Sequence, residues 1–526
     1  MSPTSLQRPF QRLLVANRGE IALRVMDSAR RLGLHCIAVY SEADRDGPHV
    51  AAADQAVCIG AAAPQASYLN IDAIVDAARR SGADAVHPGY GFLAENEDFA
   101  AAVVAAGLVF VGPSAAVIRA MGHKSLAKQH MADAGLPCIP GFQQPGADDA
   151  ALVAAAPALG LPLMVKAAAG DDDRGMRRVD RLDALPAALA AARSEATAAF
   201  GDGDLLLERA LVDPRHVELQ VLADAHGGVR ILGERDCSVQ RRHQKLIEEA
   251  PSPAVGPELR ARMAEAGARA VRAIGYVGAG TLEFLLDRDG DFFFMEMNTR
   301  LQVEHAVTEA ITGLDLVEWQ LRVAAGERLD ELPDPVPMNG HAIEVRLTAE
   351  DVAAGFLPQT GPAQRWRPPA GRGVRVDHAL VEGGVVSPHY DSMVAKLVAH
   401  GPTRDAARAK LLHALQATVL LGVTTNRNFL ADTLAHPVFA AGDVHTGFVE
   451  RWFDDAARRG PAADADTLAV AAWAMAGAPG ADAAASAAPP VLVDLVDLVD
   501  PTGPDASGGA GRLRRVHQPS GRAGGE

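Results

Sequence analysis

Polar side chains recur at every second position between residues 296 and 304 of this sequence. Glu296, Asn298, Arg300, Gln302 and Glu304 follow directly after the β-type run 291–294. If the chain stays extended, all five side chains point to one face of a sheet. Buried polar groups are costly without partners, so the row predicts a ligand site. Carboxylates, an amide and a guanidinium can hold Mg²⁺ at one end and a small anion at the other.

A second apolar run, Gly280–Leu286, contains a single acid, Glu283. Two neighbouring strands that each offer a carboxylate are a common way to hold nucleotide-bound Mg²⁺. The bland alternative is a solvated strand face with incidental charge pairs. The adjacent Phe292-Phe293-Phe294 favours burial, and therefore a metal site.

Composition bounds the class of protein. A chain of 526 residues predicts two to four domains. The net charge of −16 argues against a nucleic-acid surface, although the basic run 235–245 is a candidate for a local anion pocket. The four cysteines show no Cys-x-x-Cys spacing, which argues against zinc or a disulfide framework and for a reducing compartment. The N-terminal residues lack the apolar core of a secretory signal, and no apolar stretch is long enough for a membrane span, so we expect a cytoplasmic protein.

The first 112 residues alternate between strand and helix patterns. Arg12–Asn17 is predicted as a strand, Glu20–Leu32 as a helix and His35–Tyr40 as a strand, and the alternation continues to Val109–Gly112. This order is typical of a doubly wound parallel sheet. Residues 17–20 form its first strand-to-helix turn, where such sheets bind ligands. No Gly-x-Gly-x-x-Gly follows the strand, so a dinucleotide fold is not supported.

The remaining chain divides into further regions. A helical stretch from about Ser114 contains Lys124 and Lys128, and a small lid with strand Leu163–Lys166 is predicted within 137–212. The polar motifs fall in 213–330. We expect a proline-rich linker at 332–337 to separate them cleanly from a third region, roughly 340–450, that opens with strand His341–Leu347. Ala, Gly, Pro and Asp dominate after residue 475, so we expect a disordered tail at 475–526.

Residues 296–305 resemble the catalytic signature of biotin carboxylases, a branch of the ATP-grasp ligases. Other stretches match the same family in the same order, from about residue 10 to about residue 450. Several long matches in a fixed order make chance similarity very unlikely. They are Val15-Ala16-Asn17-Arg18-Gly19-Glu20-Ile21-Ala22, His87-Pro88-Gly89-Tyr90-Gly91-Phe92-Leu93, Met121-Gly122-His123-Lys124, residues 234–245 and His341-Ala342-Ile343-Glu344-Val345-Arg346.

The resemblance implies a mixed α/β and α+β architecture. It predicts an N-terminal Rossmann-like domain at 10–115, an ATP-grasp domain at 116–330 with a mobile lid at about 137–212, and a C-terminal biotin carboxylase domain at 338–450. The implied activity is ATP-dependent carboxylation of carrier-bound biotin by bicarbonate through carboxyphosphate, within an acyl-CoA carboxylase of the methylcrotonyl-, propionyl- or acetyl-CoA type.

The implied ligands are ATP, Mg²⁺ or Mn²⁺, and biotin as substrate. The implied partners are a biotin carboxyl carrier domain, a carboxyltransferase subunit and a second copy of the chain. The sequence contains no Ala-Met-Lys-Met, the sequence around the biotinylated lysine of carriers, so we expect biotin to arrive in trans.

The resemblance also implies a role for individual residues. Glu304 would be the general base, Arg300 would stabilise the enolate-like biotin, and Arg346 would support biotin and carboxyphosphate. Bicarbonate would lie among Lys245, Arg300, Gln302 and Val303, and the metal would be held by Glu283, Glu296 and Asn298. The implied ATP-binding residues are Lys124, Lys166, Gly170, Gly175, Glu208, Arg209, Ala210, Leu211, His216, Gln240 and His243.

Plainer interpretations stay open for several of these residues. Lys166 ends an apolar strand and could be a snorkelling lysine. His216 alternates on a strand, where a lone histidine is more often structural. His243 and Lys245 could belong to a solvated basic face.

One loop departs from the family pattern. Asp171, Asp172 and Asp173 stand where glycines are expected after the strand lysine. Glycines there let bare backbone N–H groups curl around phosphates. Each aspartate adds a conformational cost on the order of 1 kcal/mol. Each also adds repulsion from a triphosphate of about 3 kcal/mol at ~5 Å and a dielectric of ~20, which solvent would reduce severalfold.

A total loss of ~3 kcal/mol would weaken ATP binding roughly a hundredfold. Alternatively, the aspartates recruit a further Mg²⁺. Two other functions are therefore weighed: a catalytically impaired subunit with a disabled lid, and another ATP-grasp ligase of the carbamoyl-phosphate synthetase type.

Overall fold

The computed structural model describes residues 10–142, 144, 146–168 and 176–453. Asp171–Asp173, Gly170, Gly175 and the predicted tail at 475–526 lie outside these residues. Within the described part of the chain, no helix is both long and apolar enough to span a bilayer.

The N-terminal region is a parallel sheet with helices on both faces, as predicted. Its strand order is β3-β2-β1-β4-β5, with every pair parallel. Leu13 and Val15 pack on one side of the sheet, and Leu14 packs on the other. The elements are β1 (Arg12–Val15), α1 (Gly19–Arg31), β2 (His35–Ser41), α2 (Pro48–Ala52), β3 (Gln55–Gly60), α3 (Ile71–Ser81), β4 (Ala85–His87), α4 (Glu97–Ala105) and β5 (Val109–Phe110).

The strand order reverses between β1 and β4, and the loops after these two strands are joined by a side chain. Asn17 Nδ2 donates to the carbonyl oxygens of Pro88 and Tyr90, at 2.8 Å each. Gly89 has a φ of 66°, and a Cβ there would lie 2.8 Å from the Asn17 amide nitrogen. Glycine is therefore required for this close approach.

A second, antiparallel sheet with strand order β6-β9-β7-β8 lies in the predicted lid region. Its core contains Leu163, Val165 and Leu207. The elements from residue 115 to residue 209 are α5 (Ala115–Gly122), α6 (Lys124–Asp133), β6 (Gly141–Phe142), α7 (Asp149–Leu159), β7 (Leu163–Ala167), β8 (Arg177–Val179), α8 (Leu185–Phe200) and β9 (Leu205–Arg209).

The polar motifs lie on strands and on a loop of the following region. Its strands and helices are β10 (Arg215–Ala223), β11 (Val229–Arg241), β12 (Gln244–Ala250), α9 (Pro257–Ala273), β13 (Gly278–Leu286), β14 (Phe292–Asn298), α10 (His305–Thr312) and α11 (Leu316–Ala324).

The C-terminal region contains short strands, two long strands and helices. They are β15 (His341–Thr348), β16 (Glu350–Asp351), β17 (Leu357–Pro358), β18 (Gly361–Pro362), β19 (Arg365–Arg367), β20 (Val374–His378), β21 (Val385–Val386), β22 (Met393–Gly401), α12 (Arg404–Ala417), β23 (Val419–Leu421), α13 (Arg427–Ala435), α14 (Pro437–Ala440) and α15 (Phe448–Trp452).

One eight-stranded sheet joins these last two regions. Its order is β14-β13-β10-β11-β12-β15-β22-β20, with every neighbouring pair antiparallel. The sheet continues from β12 to β15, so the proline-rich linker at 332–337 does not divide it. It therefore places the strands with Glu283, Glu296 and Lys245 in the same layer as the strand with Arg346.

Candidate active site

A cavity of about 920 Å³ is lined by residues from all of these regions. The turn after β1 contributes Asn17–Glu20, and the loop after β4 contributes Tyr90. Nearly all of the predicted site residues in the described part of the chain line this cavity: Lys166, Glu208, Arg209, Ala210, Leu211, His216, Gln240, His243, Lys245, Glu283, Glu296, Asn298, Arg300, Gln302, Val303, Glu304 and Arg346.

Lys124 is the exception among the described residues. It begins α6, one turn before Lys128, and it is not part of the cavity lining. Gly170 and Gly175 lie outside the described residues, so their position relative to the cavity stays a prediction.

Lys245 lies at the centre of a charged cluster. Its Nζ is 2.7 Å from Glu218 Oε2, 2.9 Å from Glu283 Oε1 and 2.8 Å from Glu304 Oε1. Burial alone would lower the pKa of Lys245, but Glu218, Glu283 and Glu304 hold this pKa well above its usual range. Lys245 is therefore a fixed cation, and its interpretation as part of a solvated basic face is wrong.

Glu304 is ionised in this arrangement. Burial would raise the pKa of Glu304, but the nearby Lys245, Arg346 and Arg235 hold this pKa far below its usual range. Arg346 Nη2 donates to Glu304 Oε2 at 3.0 Å. The side chain therefore carries the negative charge that a proton acceptor requires.

Glu283 accepts hydrogen bonds from two side-chain amides. Asn298 Nδ2 and Gln302 Nε2 donate to Glu283 Oε1 at 2.8 and 2.7 Å. His216 Nε2 lies 2.8 Å from Glu283 Oε2. Burial would raise the pKa of Glu283, but Lys245 and His216 hold it well below its usual range. His216 is thus buried and paired with the carboxylate.

Glu283 and Glu296 are directly opposite each other on the neighbouring strands β13 and β14. Opposite residues of an antiparallel pair share one face, and both line the cavity. The donor atoms of His216, Glu218 and Glu283 lie within 4.8 Å of one another. The carboxylate oxygens in this group suit a hard divalent cation such as Mg²⁺.

The expectation of one extended row from 296 to 304 is wrong beyond Asn298. β14 ends at Asn298, and Glu304 is the residue directly before α10. Where the chain leaves the sheet, Thr299 N and Arg300 Nε both donate to the carboxylate of Glu95, at 2.9 and 2.6 Å. The loop still directs all five side chains towards the cavity.

The other end of the cavity contains a lysine–glutamate cluster. Lys166 Nζ lies 2.8 Å from Glu208 Oε2, and Lys128 also pairs with Glu208. Lys166 is therefore more than a snorkelling lysine. His243 lies at the exposed two-residue turn between β11 and β12, with φ of 46° at Arg242 and 65° at His243. Non-glycine residues in this region are strained, which is common near functional sites.

The sequence patterns did not predict three acidic residues at the site. Glu218 alternates with His216 on β10, so the period of two could have identified it. Glu95 contacts Arg300 across 205 residues of chain, and no local signal predicts such a contact. Glu248 accepts from Arg346 Nε at 2.6 Å.

The two ends of the basic run 235–245 lie in different surroundings. Arg235 is completely buried and donates to Glu218 Oε1 at 2.5 Å and to Gln302 Oε1 at 2.8 Å. Arg235 thus holds Glu218 and Gln302 in place from within the protein interior, whereas Lys245 lines the cavity.

The paired carboxylates, the charged cluster around Lys245 and the lysine–glutamate cluster share one cavity, which agrees with the ATP-grasp class of ligases. Family models match along the chain: "Biotin carboxylase, N-terminal domain" at 9–118, "Carbamoyl-phosphate synthase L chain, ATP binding domain" at 123–332 and "Biotin carboxylase C-terminal domain" at 344–451. The chain belongs to the biotin carboxylase family.

Individual proteins agree with this assignment. The chain is 50% identical over 447 residues to the methylcrotonoyl-CoA carboxylase subunit alpha of Oryza sativa, covering 85% of this chain and 61% of that protein. It is 48% identical over 440 residues to the biotin carboxylase of Halalkalibacterium halodurans, covering 84% of this chain and 97% of that protein.

A solved structure is also similar. The biotin carboxylase domain of 2-oxoglutarate carboxylase from Hydrogenobacter thermophilus, in complex with MgADP, ADP and bicarbonate, has a TM-score of 0.82 and 44% identity. It covers 85% of this chain and 98% of that chain. The chain thus spans 97% of the Halalkalibacterium halodurans biotin carboxylase but only 61% of the Oryza sativa carboxylase subunit.

Proposed function

We propose that this chain carboxylates carrier-bound biotin with bicarbonate and ATP, as the biotin carboxylase component of an acyl-CoA carboxylase. The main support is the convergence of Lys245, Arg300 and Arg346 around Glu304 in one cavity. These cations can attract an anion, and the ionised Glu304 among them can accept the proton that this anion must lose. The flanking family matches favour this function over another ATP-grasp ligase.

We assign the other end of the cavity to ATP. Lys124, Lys166 and the loop glycines Gly170 and Gly175 would contact phosphates. Mg²⁺ or Mn²⁺ on Glu283, Glu296 and Asn298 would neutralise phosphate charge. The remaining nucleotide contacts in this proposal are Glu208, Arg209, Ala210, Leu211, His216, Gln240 and His243.

In the first step, bicarbonate would lie among Lys245, Arg300, Gln302 and Val303. Glu304 takes its proton, and the resulting oxyanion attacks the γ-phosphorus of ATP. The bond to the β–γ bridging oxygen breaks, which gives carboxyphosphate and ADP. Lys245 controls when Glu304 can accept a proton, because Glu304 is a weak base while the ammonium contacts it. An anion that draws Lys245 away would raise the basicity of Glu304.

In the second step, the ureido N–H of biotin gives its proton to the departing phosphate. The nitrogen bonds to the carboxyl carbon as the bond between this carbon and the phosphate oxygen breaks. Arg300 would stabilise the enolate-like biotin, and Arg346 would support biotin and carboxyphosphate. A planar, permanently charged guanidinium suits such anions better than an ammonium does. Glu95 and Asn298 hold Arg300 by bonds of 2.6 and 2.8 Å, so the guanidinium is oriented before substrate binds.

The assembly completes this proposal. Biotin would arrive on a separate carrier domain, a carboxyltransferase subunit would use the carboxybiotin, and the chain would form a homodimer. We also propose domain boundaries at 10–115, 116–330 with a lid at 137–212, and 338–450. A cytoplasmic location remains a proposal, since relatives include bacterial and mitochondrial proteins.

The test is ATP hydrolysis stimulated by free biotin, with Arg300→Ala as the matched inactive control. We expect stimulation in the parent chain, and its loss in the variant with nucleotide binding retained. An ATPase that free biotin does not stimulate would contradict the proposed function.

The aspartate loop is tested in the same assay. Changing Asp171, Asp172 and Asp173 together to Gly should tighten ATP binding and raise turnover at least tenfold, if ~1.4 kcal/mol or more is recovered. Part of the gain should fade with added salt, because charge repulsion is screened and backbone strain is not. Unchanged ATP binding in the glycine variant would show that the aspartates do not impede the nucleotide.

A further inference from the structure

Two glutamates beside Arg346 have no role in the reaction described above. Glu248 on β12 and Glu344 on β15 are directly opposite each other in the antiparallel register. Side chains of such pairs share one face and have Cβ atoms about 4.5–5.5 Å apart. Both glutamates have a relative exposure of 0%. Two carboxyl groups are therefore confined together without access to solvent.

The face that carries this pair is covered by α10. Ala250, Ala342 and Val398 on this face of the sheet pack against Val307 and Ile311 of the helix. Alternate residues of a strand share a face, so Glu248, Glu344 and Arg346 also lie under α10. Two ionised carboxylates in such a place repel each other, and one of them is expected to hold a proton.

The hydrogen bonds of the pair are incomplete when both groups are ionised. Glu248 Oε1 accepts from Arg346 Nε at 2.6 Å. Among the described residues, Glu248 Oε2 and both oxygens of Glu344 have no hydrogen-bond partner. A proton on Glu344 would supply the donor that Glu248 Oε2 lacks.

Burial favours this placement of the proton, whereas the surrounding charges are of both signs. Lys396, Glu248, Arg346 and Glu304 face Glu344. Burial raises the pKa of Glu344 well above its usual range, although Lys396 opposes the shift. Burial also raises the pKa of Glu248 to about 7, against the effect of Arg346.

Lys396 is shared with other groups. Its Nζ donates to the Val303 carbonyl at 2.8 Å and lies 3.6 Å from both Glu20 and Asp377. Its ammonium is therefore not committed to Glu344, which leaves burial as the larger influence.

We propose that Glu344 is a positioning residue whose protonated carboxyl donates a hydrogen bond to Glu248 Oε2. Glu248 is thereby fixed as the acceptor for Arg346 Nε, and Arg346 Nη2 is directed to Glu304. The consequence for catalysis rests on the proposed function, because it assumes that Arg346 and Glu304 act on bicarbonate.

The kinetic test compares Glu344→Gln with Glu344→Ala. Glutamine keeps an N–H donor and cannot ionise, so kcat/KM for bicarbonate should stay within about threefold of the parent. Alanine removes the donor, and kcat/KM for bicarbonate should fall about tenfold or more, the usual scale for a hydrogen bond to a charged group. The KM for ATP should be unchanged in both variants. A glutamine variant as impaired as the alanine variant would overturn the proposal, as would an alanine variant that loses only thermal stability.

An infrared measurement tests the proton without requiring turnover. The parent chain, with isotope-labelled glutamate, should show the C=O band of a protonated carboxyl group at about pH 8, far above the usual glutamate pKa. This band should disappear in Glu344→Gln. It should persist in Glu234→Gln, which removes a buried glutamate paired with Arg260. If the parent chain shows this band but no ATPase activity that biotin stimulates, only the proposed function is refuted. If the parent chain lacks the band, the role of Glu344 is refuted.

Discussion

Replacing Lys245 with methionine should leave three buried carboxylates without their common cation. The ammonium contacts Glu218, Glu283 and Glu304 at 2.7–2.9 Å. At ~3 Å and an effective dielectric of ~20, each contact corresponds to about 5 kcal/mol of Coulomb attraction, which desolvation largely offsets. Breaking a buried pair by removing one partner typically costs about 3–5 kcal/mol. We expect a destabilisation of this size at pH near 8 and a loss of biotin-stimulated ATP hydrolysis.

The pH dependence of this destabilisation is the sharper measurement. In the parent, the pKa values of Glu283 and Glu304 are held low, so their contribution to stability is present above the unfolded pKa and is lost as pH falls through the folded values. Without Lys245, the folded pKa values should rise, because burial is then opposed only by Arg346 and Arg235 at Glu304 and by His216 at Glu283. The variant is then penalised fully at high pH, and the penalty fades as the carboxylates take up protons.

Thermal unfolding of parent and variant should be followed from about pH 8 to about pH 5, a range that spans the shift expected for buried carboxylates. The difference in Tm should be largest at the high end and shrink towards the low end. Lys410→Met is the matched control, because its Nζ donates only to the His400 carbonyl among the described residues, at 2.8 Å. Its Tm difference should be small and constant. A Lys245→Met difference that is equally constant would refute the claim that this ammonium balances the carboxylates.

Three further predictions concern the neighbouring groups. Arg300→Lys keeps the charge but cannot hold both Glu95 and Asn298, so biotin-dependent turnover should fall about a hundredfold, with ADP binding unchanged by calorimetry. Glu95→Gln should lower kcat about tenfold because Arg300 loses its charged anchor, and a normal kcat would show that this anchor is not needed. Glu296→Gln should raise the Mg²⁺ concentration for half-maximal activity about tenfold or more, since one ligand charge is lost; unchanged metal dependence would remove Glu296 from the metal site.

The sequence predicted much of the fold because local patterns carried it. The strand from Arg12, the helix from about residue 20 and the strand from His341 are confirmed with boundary differences of one or two residues. The opposed Glu283 and Glu296 followed from paired acids on apolar runs. Such features depend on period and neighbouring residues, which a sequence displays directly.

The contacts that were missed depend on distant parts of the chain. The chain is not extended after Asn298, and Thr299 and Arg300 there bind Glu95, which lies on a loop of the N-terminal region. Likewise, the sheet crosses the linker at 332–337 because β12 pairs with β15. Arg235 was predicted only as part of the basic run 235–245, whereas its guanidinium donates hydrogen bonds to five groups that only folding brings together.

The arrangement of charges also bears on how the site could act. Each of the three cations already contacts a carboxylate. Lys245 contacts Glu304 and its neighbours, Arg300 contacts Glu95, and Arg346 contacts Glu248. An incoming anion must therefore share these cations with the carboxylates. Sharing Lys245 and Arg346 weakens the two contacts that depress the pKa of Glu304 most strongly. Binding of the anion and activation of the base are thus one electrostatic event, because the cations that attract the substrate are those that keep Glu304 a weak base beforehand.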